Sequence, residues 1–363
     1  MRVYVHMKIK SNLKDYEVVF EDSNIFFREL LATRDAKFII DKNVYQLYEK
    51  EFQGVSKEKL LLLEANEENK VIETALSICE QIIAISAKRN TTLISIGGGI
   101  IQDITGFVAN IMYRGIHWIF VPTTLLAACD SCIGGKTSLN YKRYKNLLGT
   151  FYPPDKIYIY PQLFQTLTLR DYKSGLGEVV KFNIMAGEKG LEEIETSLDA
   201  LLRREPLVIN YFVEKSLLFK KNFIEQDEFD RGERIKLNFA HTFGHAIEAV
   251  SNYEIPHGTA VAIGMIMANR ISNSRKWIEN PIVKRSEALL LKVIDIDITL
   301  LERPISDYMD AIRKDKKQTN DSLTAVLIKK YGYDAELQVV HDVSQKEIED
   351  AINYFISIYK DKK

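Results

Sequence analysis

Three of the six histidines lie within seventeen residues of one another, with a spacing that suits a metal site. His241 and His245 are four residues apart, so in a helix their imidazoles lie on one face. His257 follows twelve residues later, after a loop marked by proline and glycine. Imidazole nitrogens and a carboxylate are ligands that Zn²⁺ and similar divalent ions prefer. Separate structural roles for these histidines are the alternative, but the cluster as a whole favours a metal site.

The carboxylate must come from elsewhere in the chain, and Glu178 is the best candidate. It lies in the segment SGLGEVVK, where Glu178 and Lys181 are three residues apart and share a helical face. The rest of this segment is apolar or small, and a charged pair in such surroundings costs free energy unless it is used. An ordinary ion pair would explain these two residues alone. Beside the histidines, they predict a functional carboxylate with a lysine next to it.

A run of three glycines is a candidate site for a dinucleotide. The β-branched segment 92–96 leads into Gly97-Gly98-Gly99, and a helix is expected to begin near Ile100. Glycine lets the backbone approach a pyrophosphate closely, and the N-terminus of a helix offers free N–H groups to it. The run does not follow the G-x-G-x-x-G pattern, so a tight structural turn is the alternative.

A second glycine segment, Gly134-Gly135-Lys136-Thr137, has the ending of a P-loop but not its beginning. A Walker A motif requires glycine five residues before Gly135, and this chain has Asp130 there. Lys136 still offers a cation in a glycine-flanked loop, and further basic residues follow it. A solvated basic loop is the alternative to an anion-binding one.

The pair Cys129 and Cys132 forms a C-x-x-C motif that we do not interpret as a site. A metal knuckle needs a second pair, and only Cys79 remains in the chain. A thioredoxin-like motif opens a helix soon after the first strand of a small domain, which is not the setting here. We therefore expect two small buried residues.

The elements that must position these residues change character near residue 166. Before it, strand-like segments at 37–40, 92–96 and 118–122 alternate with helical patterns such as 71–87. This alternation predicts an N-terminal α/β dinucleotide-binding domain, residues 1–166, with a mostly parallel sheet covered by helices.

Beyond residue 166 long helical patterns dominate, and no strand stands out until 324–328. The simplest interpretation is an all-α C-terminal domain, residues 167–363, which contains the candidate metal ligands. The helical patterns fall at 191–202, 211–224, 237–250, 260–274 and 283–293.

Charge and hydropathy argue against several classes of function. The formal net charge is −1 and the pI is near 6.6, so neither a nucleic-acid nor a membrane surface is indicated. The first residues lack an apolar core of signal-peptide length, and the longest nearly uncharged run, 115–128, contains His117 and Pro122. We expect a cytoplasmic protein in which a local cluster of Lys and Arg binds any anionic substrate.

Several sequence blocks occur in the order and spacing of a known family. They are GGGIIQD, YRG, VPTTLLAACDSCIGGKTSLN, KNLLGTFYPP, GLGEVVKF, RIKLNFAHTFGHAIEA, IPHGTAVAIGM and RKDKK, from about Lys37 to Lys317. Together they closely resemble the 3-dehydroquinate synthases, which are sugar-phosphate cyclases. The resemblance implies bound NAD, one divalent metal ion (Zn²⁺ or Co²⁺), a homodimer, and a place in the shikimate pathway to aromatic amino acids.

The activity implied by the resemblance converts 3-deoxy-D-arabino-heptulosonate 7-phosphate to 3-dehydroquinate and phosphate. In the family, NAD⁺ oxidises one ring hydroxyl, phosphate leaves by β-elimination, the hydride returns, and an intramolecular aldol reaction closes the carbocycle. The protein's part in this sequence is mostly orientation and charge placement.

The resemblance also assigns roles to residues of this chain by position. The metal ligands correspond to Glu178, His241 and His257. Catalytic groups beside the reacting sugar correspond to Asp130, Lys136, Lys181 and His245. Contacts to the substrate phosphate correspond to Lys136, Asn146, Asn238, Arg114 from a neighbouring subunit, and Lys316 or Lys317. Groups that hold the carboxylate end correspond to Lys220 and Arg234. The NAD side corresponds to Asp41, Glu67, Lys70, Gly98, Gly99, Asp103, Thr123, Thr124, Lys145 and Thr166.

Two positions depart from the family pattern on the NAD side. The family usually has glycine where Gln102 stands, and a Gly-Glu pair where this chain has Asn66-Glu67. A side chain at position 102 can crowd the cofactor. Because the catalytic set is intact, we interpret both changes as tolerated variation.

Three other functions remain as alternatives. The first is a related sugar-phosphate cyclase. Sedoheptulose 7-phosphate cyclases generally lose the second histidine of HTFGH and alter the GGKT loop, whereas this chain keeps His245 and Gly135-Lys136. A cyclase that acts on an amino-sugar analogue would keep these residues too. A metal-dependent glycerol or alcohol dehydrogenase has no need of Lys136, Lys220, Arg234 and RKDKK together. A catalytically inactive binding protein is the third alternative, because of Gln102.

Overall fold

The computed structural model describes residues 6–84, 88–142, 144–314 and 323–362. The chain separates into two compact units, Met1–Leu167 with Ile209–Leu217, and Thr168–Val208 with Leu218–Lys363. Lys316 and Lys317, to which the resemblance assigns a phosphate contact, lie outside the described residues.

The first unit is built on a seven-stranded sheet with the order β1-β2-β9-β6-β5-β3-β4. All neighbouring strands are parallel except β1 and β2, and a separate antiparallel hairpin joins β7 to β8. The described strands of this unit are β1 (His6–Ile9), β2 (Tyr16–Phe20), β3 (Ala36–Asp41), β4 (Leu60–Leu63), β5 (Thr92–Gly97), β6 (His117–Pro122), β7 (Lys136–Tyr141), β8 (Tyr144–Phe151) and β9 (Lys156–Ile159). Its helices are α1 (Ile25–Leu31), α2 (Lys42–Leu47), α3 (Ile72–Ala84) and α4 (Gly99–Ile111).

The central strands are apolar because helices and neighbouring strands bury them. Phe38, Ile39 and Ile40 of β3 and Ile94 and Ile96 of β5 are fully buried. Near-continuous apolar runs are typical of parallel strands that are covered on both faces. The predicted mostly parallel α/β sheet is therefore confirmed.

The second unit is helical, with one antiparallel hairpin. Its helices are α5 (Leu169–Met185), α6 (Glu188–Leu202), α7 (Pro206–Gln226, with 209–217 grouped in the first unit), α8 (His241–Val250), α9 (His257–Ser274), α10 (Asn280–Val293), α11 (Ile305–Arg313) and α12 (Gln345–Lys362). The hairpin pairs β10 (Leu323–Lys330) with β11 (Glu336–Val343), and β10 contains the strand-like segment 324–328. None of the described helices combines the length and the apolar composition needed to cross a bilayer.

The helix expected from residue 237 begins later, at His241. A 3-10 helix, Glu233–Asn238, occupies the preceding residues, and Ala240 has a left-handed backbone with φ of 68°. This break in the helical path makes His241 the first residue of α8. His257 is likewise the first residue of α9.

Helices α5 and α9 approach each other through two glycines. A Cβ atom on Gly177 would overlap the carbonyl oxygen of Gly258, and one on Gly258 would overlap that of Ser174. The Gly258 N–H also donates a hydrogen bond of 3.1 Å to Ser174 Oγ. Since Glu178 follows Gly177 and His257 precedes Gly258, this contact places these two side chains together.

We expect the substitution Gly258→Ala to lower the free energy of unfolding by about 2–3 kcal/mol, because the added methyl group forces the two helices apart. Urea denaturation measures the change. Gly332→Ala is the matched control, since nothing lies within 4 Å of a Cβ added there. Equal stability of Gly258→Ala and the parent chain would contradict the close contact.

Candidate active site

Three side chains from three helices converge in the second unit. Glu178 lies in α5, and His241 and His257 begin α8 and α9. Each offers one ligand atom, and these atoms all lie within 4.8 Å of one another. Both histidine Nε2 atoms are 3.6 Å from Glu178 Oε1. The structure thus brings together the three residues that the sequence suggested as metal ligands.

The hydrogen bonds of the two imidazoles show which nitrogen faces the carboxylate as an acceptor. His241 Nδ1 is 3.0 Å from the carbonyl oxygen of Phe239, which can only accept, so Nδ1 carries the hydrogen. His257 Nδ1 is 3.1 Å from Glu248 Oε2 and donates to that carboxylate. In the neutral imidazoles both Nε2 lone pairs therefore face Glu178, and three acceptors meet with no hydrogen between them. A proton on His257 Nε2 or a divalent cation among the three groups satisfies such an arrangement.

The Glu178 carboxylate is buried without adequate hydrogen bonding. Its side chain is 0% exposed, and among the described residues neither oxygen has a hydrogen-bond partner of suitable geometry. Lys181 Nζ makes an ion pair with Oε2 at 2.5 Å. A buried carboxylate is costly unless it is paired or coordinates a metal. Two imidazoles and one carboxylate are a donor set that fits Zn²⁺ or Co²⁺.

The raised pKa of His257 shows that its surroundings stabilise a positive charge. Burial alone would lower this pKa, but attraction to Glu248 and the contacts with Glu178 outweigh it and raise the pKa to about 10. A divalent ion bound to Nε2 would satisfy the same electrostatic demand.

His245 lies beside this cluster, one turn further along α8. Its ring centroid is 5.6 Å from that of His241 and 5.9 Å from that of His257. It is partly exposed, whereas His241 is buried. This position suits a group that exchanges protons with a molecule next to the metal.

The second unit also buries three of the predicted cations. Lys181, Lys220 and Arg234 are 1%, 7% and 3% exposed. Asp227 shapes the loop before Arg234 by accepting N–H bonds from Arg231, Gly232 and Arg234 at 2.7–3.1 Å. Buried cations are most stable beside anions, and carboxylate or phosphate groups are their natural partners.

In the first unit, seven of the ten predicted NAD residues lie at or just after the carboxyl ends of adjacent parallel strands. Strand β4 lies on one side of β3, and β5 and β6 lie on the other side, so the strand order reverses at β3. Ligands of open α/β sheets bind at such a topological switch point. Thr123 N–H donates to the Gly97 carbonyl at 2.9 Å, which ties the end of β6 to the glycine turn. The residues at this edge are Asp41 at the end of β3, Glu67 and Lys70 after β4, Gly98 and Gly99 after β5, and Thr123 and Thr124 after β6.

A hydrogen-bond network connects this edge to the β7–β8 hairpin. Lys70 Nζ is 2.6 Å from both Asp103 Oδ2 and Asn146 Oδ1. Ser138 Oγ lies 2.9 Å from Asp103 Oδ2 and 2.8 Å from Asn146 Oδ1, and its single hydrogen can donate to either oxygen. Burial raises the pKa of Asp103, although Lys70 and Ser138 oppose that rise. Asn146, assigned to the substrate phosphate, thus lies among cofactor-side residues.

Two members of this network were not identified from the sequence. Ser138 contacts Asp103, and Asn140 donates to Glu67 Oε2 at 2.7 Å. They are two residues apart in β7, and side chains at that spacing point to one face of a strand. The sequence pattern S-x-N in a predicted strand could have identified both residues. Lys145 Nζ lies 3.9 Å from Glu67 Oε1.

Gln102 is bound to Ser131 and is almost fully buried. Its Nε2 donates to the Ser131 carbonyl at 2.7 Å, and its Oε1 accepts from Ser131 Oγ at 2.7 Å. Gln102 is 3% exposed. The side chain therefore fastens the π-helical turn Ala127–Ser131, which carries Asp130, to α4. Gln102, which stands where the family usually has glycine, therefore has a structural role.

Three further predicted residues lie on more open parts of the first unit, whereas Asn238 ends the 3-10 helix of the second unit. Lys136 is exposed at the start of β7, after Gly134 and Gly135, whose φ angles of 101° and 64° are left-handed. Arg114 is exposed in a left-handed turn after α4. Thr166 Oγ1 is 3.1 Å from Tyr48 OH.

The two cysteines of the C-x-x-C motif are buried thiols, as predicted. Cys132 Sγ is 3.2 Å from the Ala128 carbonyl oxygen, one helical turn earlier.

Comparison with known proteins places the chain in one family. Residues 60–174 match the family described as 3-dehydroquinate synthase N-terminal, and residues 175–318 match 3-dehydroquinate synthase C-terminal. The 3-dehydroquinate synthase of Clostridium tetani is 35% identical over 349 residues, 95% of this chain and 92% of that protein. The 3-dehydroquinate synthase of Staphylococcus carnosus is 37% identical over 361 residues, covering 95% of this chain and 98% of that protein.

A solved structure extends the likeness to the fold. The crystal structure of a 2-deoxy-scyllo-inosose synthase complexed with carbaglucose-6-phosphate, NAD⁺ and Co²⁺ superposes with a TM-score of 0.84. It is 25% identical in sequence, and the match covers 96% of this chain and all of that one.

The contact between Gln102 and Ser131 can be tested by substitution. We expect Gln102→Ala to lower the free energy of unfolding by about 1–3 kcal/mol, because it leaves a buried hydroxyl and carbonyl without their partner. Chemical denaturation measures this. Gln81→Ala is the control, because Gln81 is an exposed residue of α3 whose amide makes one long bond, 3.3 Å, to Ser77. If both variants were as stable as the parent, Gln102 would have no such role.

Proposed function

The chain belongs to the 3-dehydroquinate synthase family, and on this premise we infer that it is a phosphate-eliminating, carbocycle-forming cyclase. It converts 3-deoxy-D-arabino-heptulosonate 7-phosphate to 3-dehydroquinate and phosphate with catalytic NAD and a divalent metal. The observation that carries this proposal is the fully buried Glu178 facing two imidazole lone pairs, in a unit that also buries three cations. A divalent ion fits among the carboxylate and the imidazoles, and an anionic substrate suits the buried Lys220 and Arg234.

We assign the metal to Glu178, His241 and His257, and NAD to the carboxyl edge of the sheet in the first unit. When bound, the ion would supply Lewis acidity to a substrate hydroxyl, and NAD would supply reversible hydride transfer. Lys181 balances the charge of Glu178 from 2.5 Å. His245, next to the ligands and partly exposed, relays the proton of the reacting hydroxyl.

The other predicted residues orient the substrate in this proposal. Lys220 and Arg234 hold its carboxylate end. Lys136, Asn238, Asn146, and Lys316 or Lys317 serve the phosphate, and Asp130 lies beside the sugar. The exposed turn that carries Arg114 suits a role in a neighbouring copy, so we also propose a homodimer. We further propose a cytoplasmic location, and we keep 1–166 and 167–363 as the two functional domains.

The alternatives differ in substrate or in the fate of the hydride. A sedoheptulose 7-phosphate cyclase would have no carboxylate for the buried Arg234, and a dehydrogenase would release NADH. The full-length likeness to 3-dehydroquinate synthases favours the carboxylated substrate over both.

The proposed reaction is redox-neutral, so NADH should not accumulate. One equivalent of NAD⁺ per site should support many turnovers, with phosphate released and no lasting rise in absorbance at about 340 nm. Parallel assays of phosphate and absorbance, with the heptulosonate phosphate and with sedoheptulose 7-phosphate, measure this. A dehydrogenase would instead accumulate NADH in step with product and release no phosphate, and that result would refute the cyclase.

Arg234→Ala tests whether the substrate carries a carboxylate. Loss of a charged hydrogen bond at a desolvated site costs about 2–4 kcal/mol, so kcat/KM should fall roughly 30- to 1000-fold while the affinity for NAD is unchanged. Arg203→Ala, at an exposed arginine paired with Glu205, is the control and should retain parental kinetics. If Arg234→Ala kept the parental kcat/KM, sedoheptulose 7-phosphate, which has no carboxylate, would be favoured as the substrate.

A further inference from the structure

We propose that Glu248 is a positioning residue of the metal centre, which fixes His257 as a ligand and raises the affinity for the metal. Glu248 is in the last turn of α8, and its Oε2 is 3.1 Å from His257 Nδ1. Its side chain is only 14% exposed, so solvent screens this contact weakly. The inference rests on the metal centre proposed above, but it concerns a residue outside the ligand set.

The contact controls which nitrogen of His257 can bind a metal. Because a carboxylate accepts the Nδ1 hydrogen, the lone pair of the neutral ring is on Nε2, and Nε2 is the atom 3.6 Å from Glu178 Oε1. A carboxylate behind a ligating imidazole also increases its basicity. The two histidines differ here, since His241 donates to the neutral carbonyl of Phe239.

The backbone holds Glu248 firmly in this position. The Glu248 carbonyl accepts bonds from Tyr253 N–H at 2.7 Å and from Ser251 Oγ at 3.1 Å. The turn between α8 and α9 contains Asn252 and Tyr253 with left-handed φ angles of 50° and 63°. Non-glycine residues adopt this conformation only where surrounding contacts favour it. The Glu248–His257 bond spans this turn and joins the two histidine-bearing helices.

A second role for Glu248 must be distinguished from this one. His245, Glu248 and His257 also have ligand atoms within 4.8 Å of one another. A metal bound to this group would displace the hydrogen from His257 Nδ1. The 3.1 Å distance between His257 Nδ1 and Glu248 Oε2 is that of a hydrogen bond, which favours the role of acceptor over that of ligand. The number of ions bound per chain separates the two roles.

The experiment measures Zn²⁺ affinity of the full-length chain by competition with a chromogenic chelator, with Zn²⁺ per chain determined by elemental analysis. We compare Glu248→Gln, Glu248→Ala and the control Glu195→Gln, whose parent carboxylate lies 2.6 Å from Arg285 and outside the cluster. Glu248→Gln keeps a hydrogen-bond acceptor but loses the charge, so the dissociation constant should rise about 10-fold. Glu248→Ala loses both, and the rise should approach 100-fold. The control should equal the parent.

The visible spectrum of the Co²⁺-loaded chain provides a second measurement that a purely structural role would not change. It should shift in both Glu248 variants and not in the control, while circular dichroism of the metal-free proteins stays unchanged. Parental Zn²⁺ affinity in both folded variants would overturn the inference and leave the proposed function intact. Two ions per parent chain, reduced to one in the variants, would overturn it by making Glu248 a ligand. A parent that binds no Zn²⁺ would refute the metal centre itself.

Discussion

The metal centre depends on how closely α5 and α9 approach each other. Two glycines, Gly177 and Gly258, bring the two backbones into contact, with no space for a Cβ on either. Each glycine is next to a proposed ligand, Glu178 on α5 and His257 on α9. A larger residue at either glycine would separate those ligands. The backbone contact therefore sets the distance between the ligand atoms of Glu178 and His257. The third ligand, His241, comes from the start of α8.

This contact buries charges that are stable only in combination. Glu178 is fully buried with Lys181 at 2.5 Å, and both imidazoles direct acceptor nitrogens towards it. Glu248 adds a further negative charge behind His257. A divalent cation compensates this excess of acceptors. The unit thus maintains an arrangement that would be costly without its ion, as expected for a functional site and not for a structural core.

Much of this could be predicted from the sequence, because it depends on local periodicity. Helical spacing placed His241 and His245 on one face, and strand–helix alternation predicted the parallel sheet. The same spacing puts Glu248 three residues after His245 on that face, a signal that was available but not used. Other features depend on contacts between distant segments: the Gln102–Ser131 bonds, the position of Asn146 beside Lys70, and the strand that pairs with β10. The break at Ala240, which delays the start of α8, is also invisible to periodicity.

The central claim is that Glu178, His241 and His257 bind one divalent ion. Crystals of the chain reconstituted with Zn²⁺ or Co²⁺, measured on both sides of the metal's absorption edge, test it directly. The account predicts a single strong anomalous peak per chain, at about 2.0–2.2 Å from one oxygen of Glu178 and from Nε2 of both histidines. A peak elsewhere, or none at these residues in fully loaded protein, would contradict it.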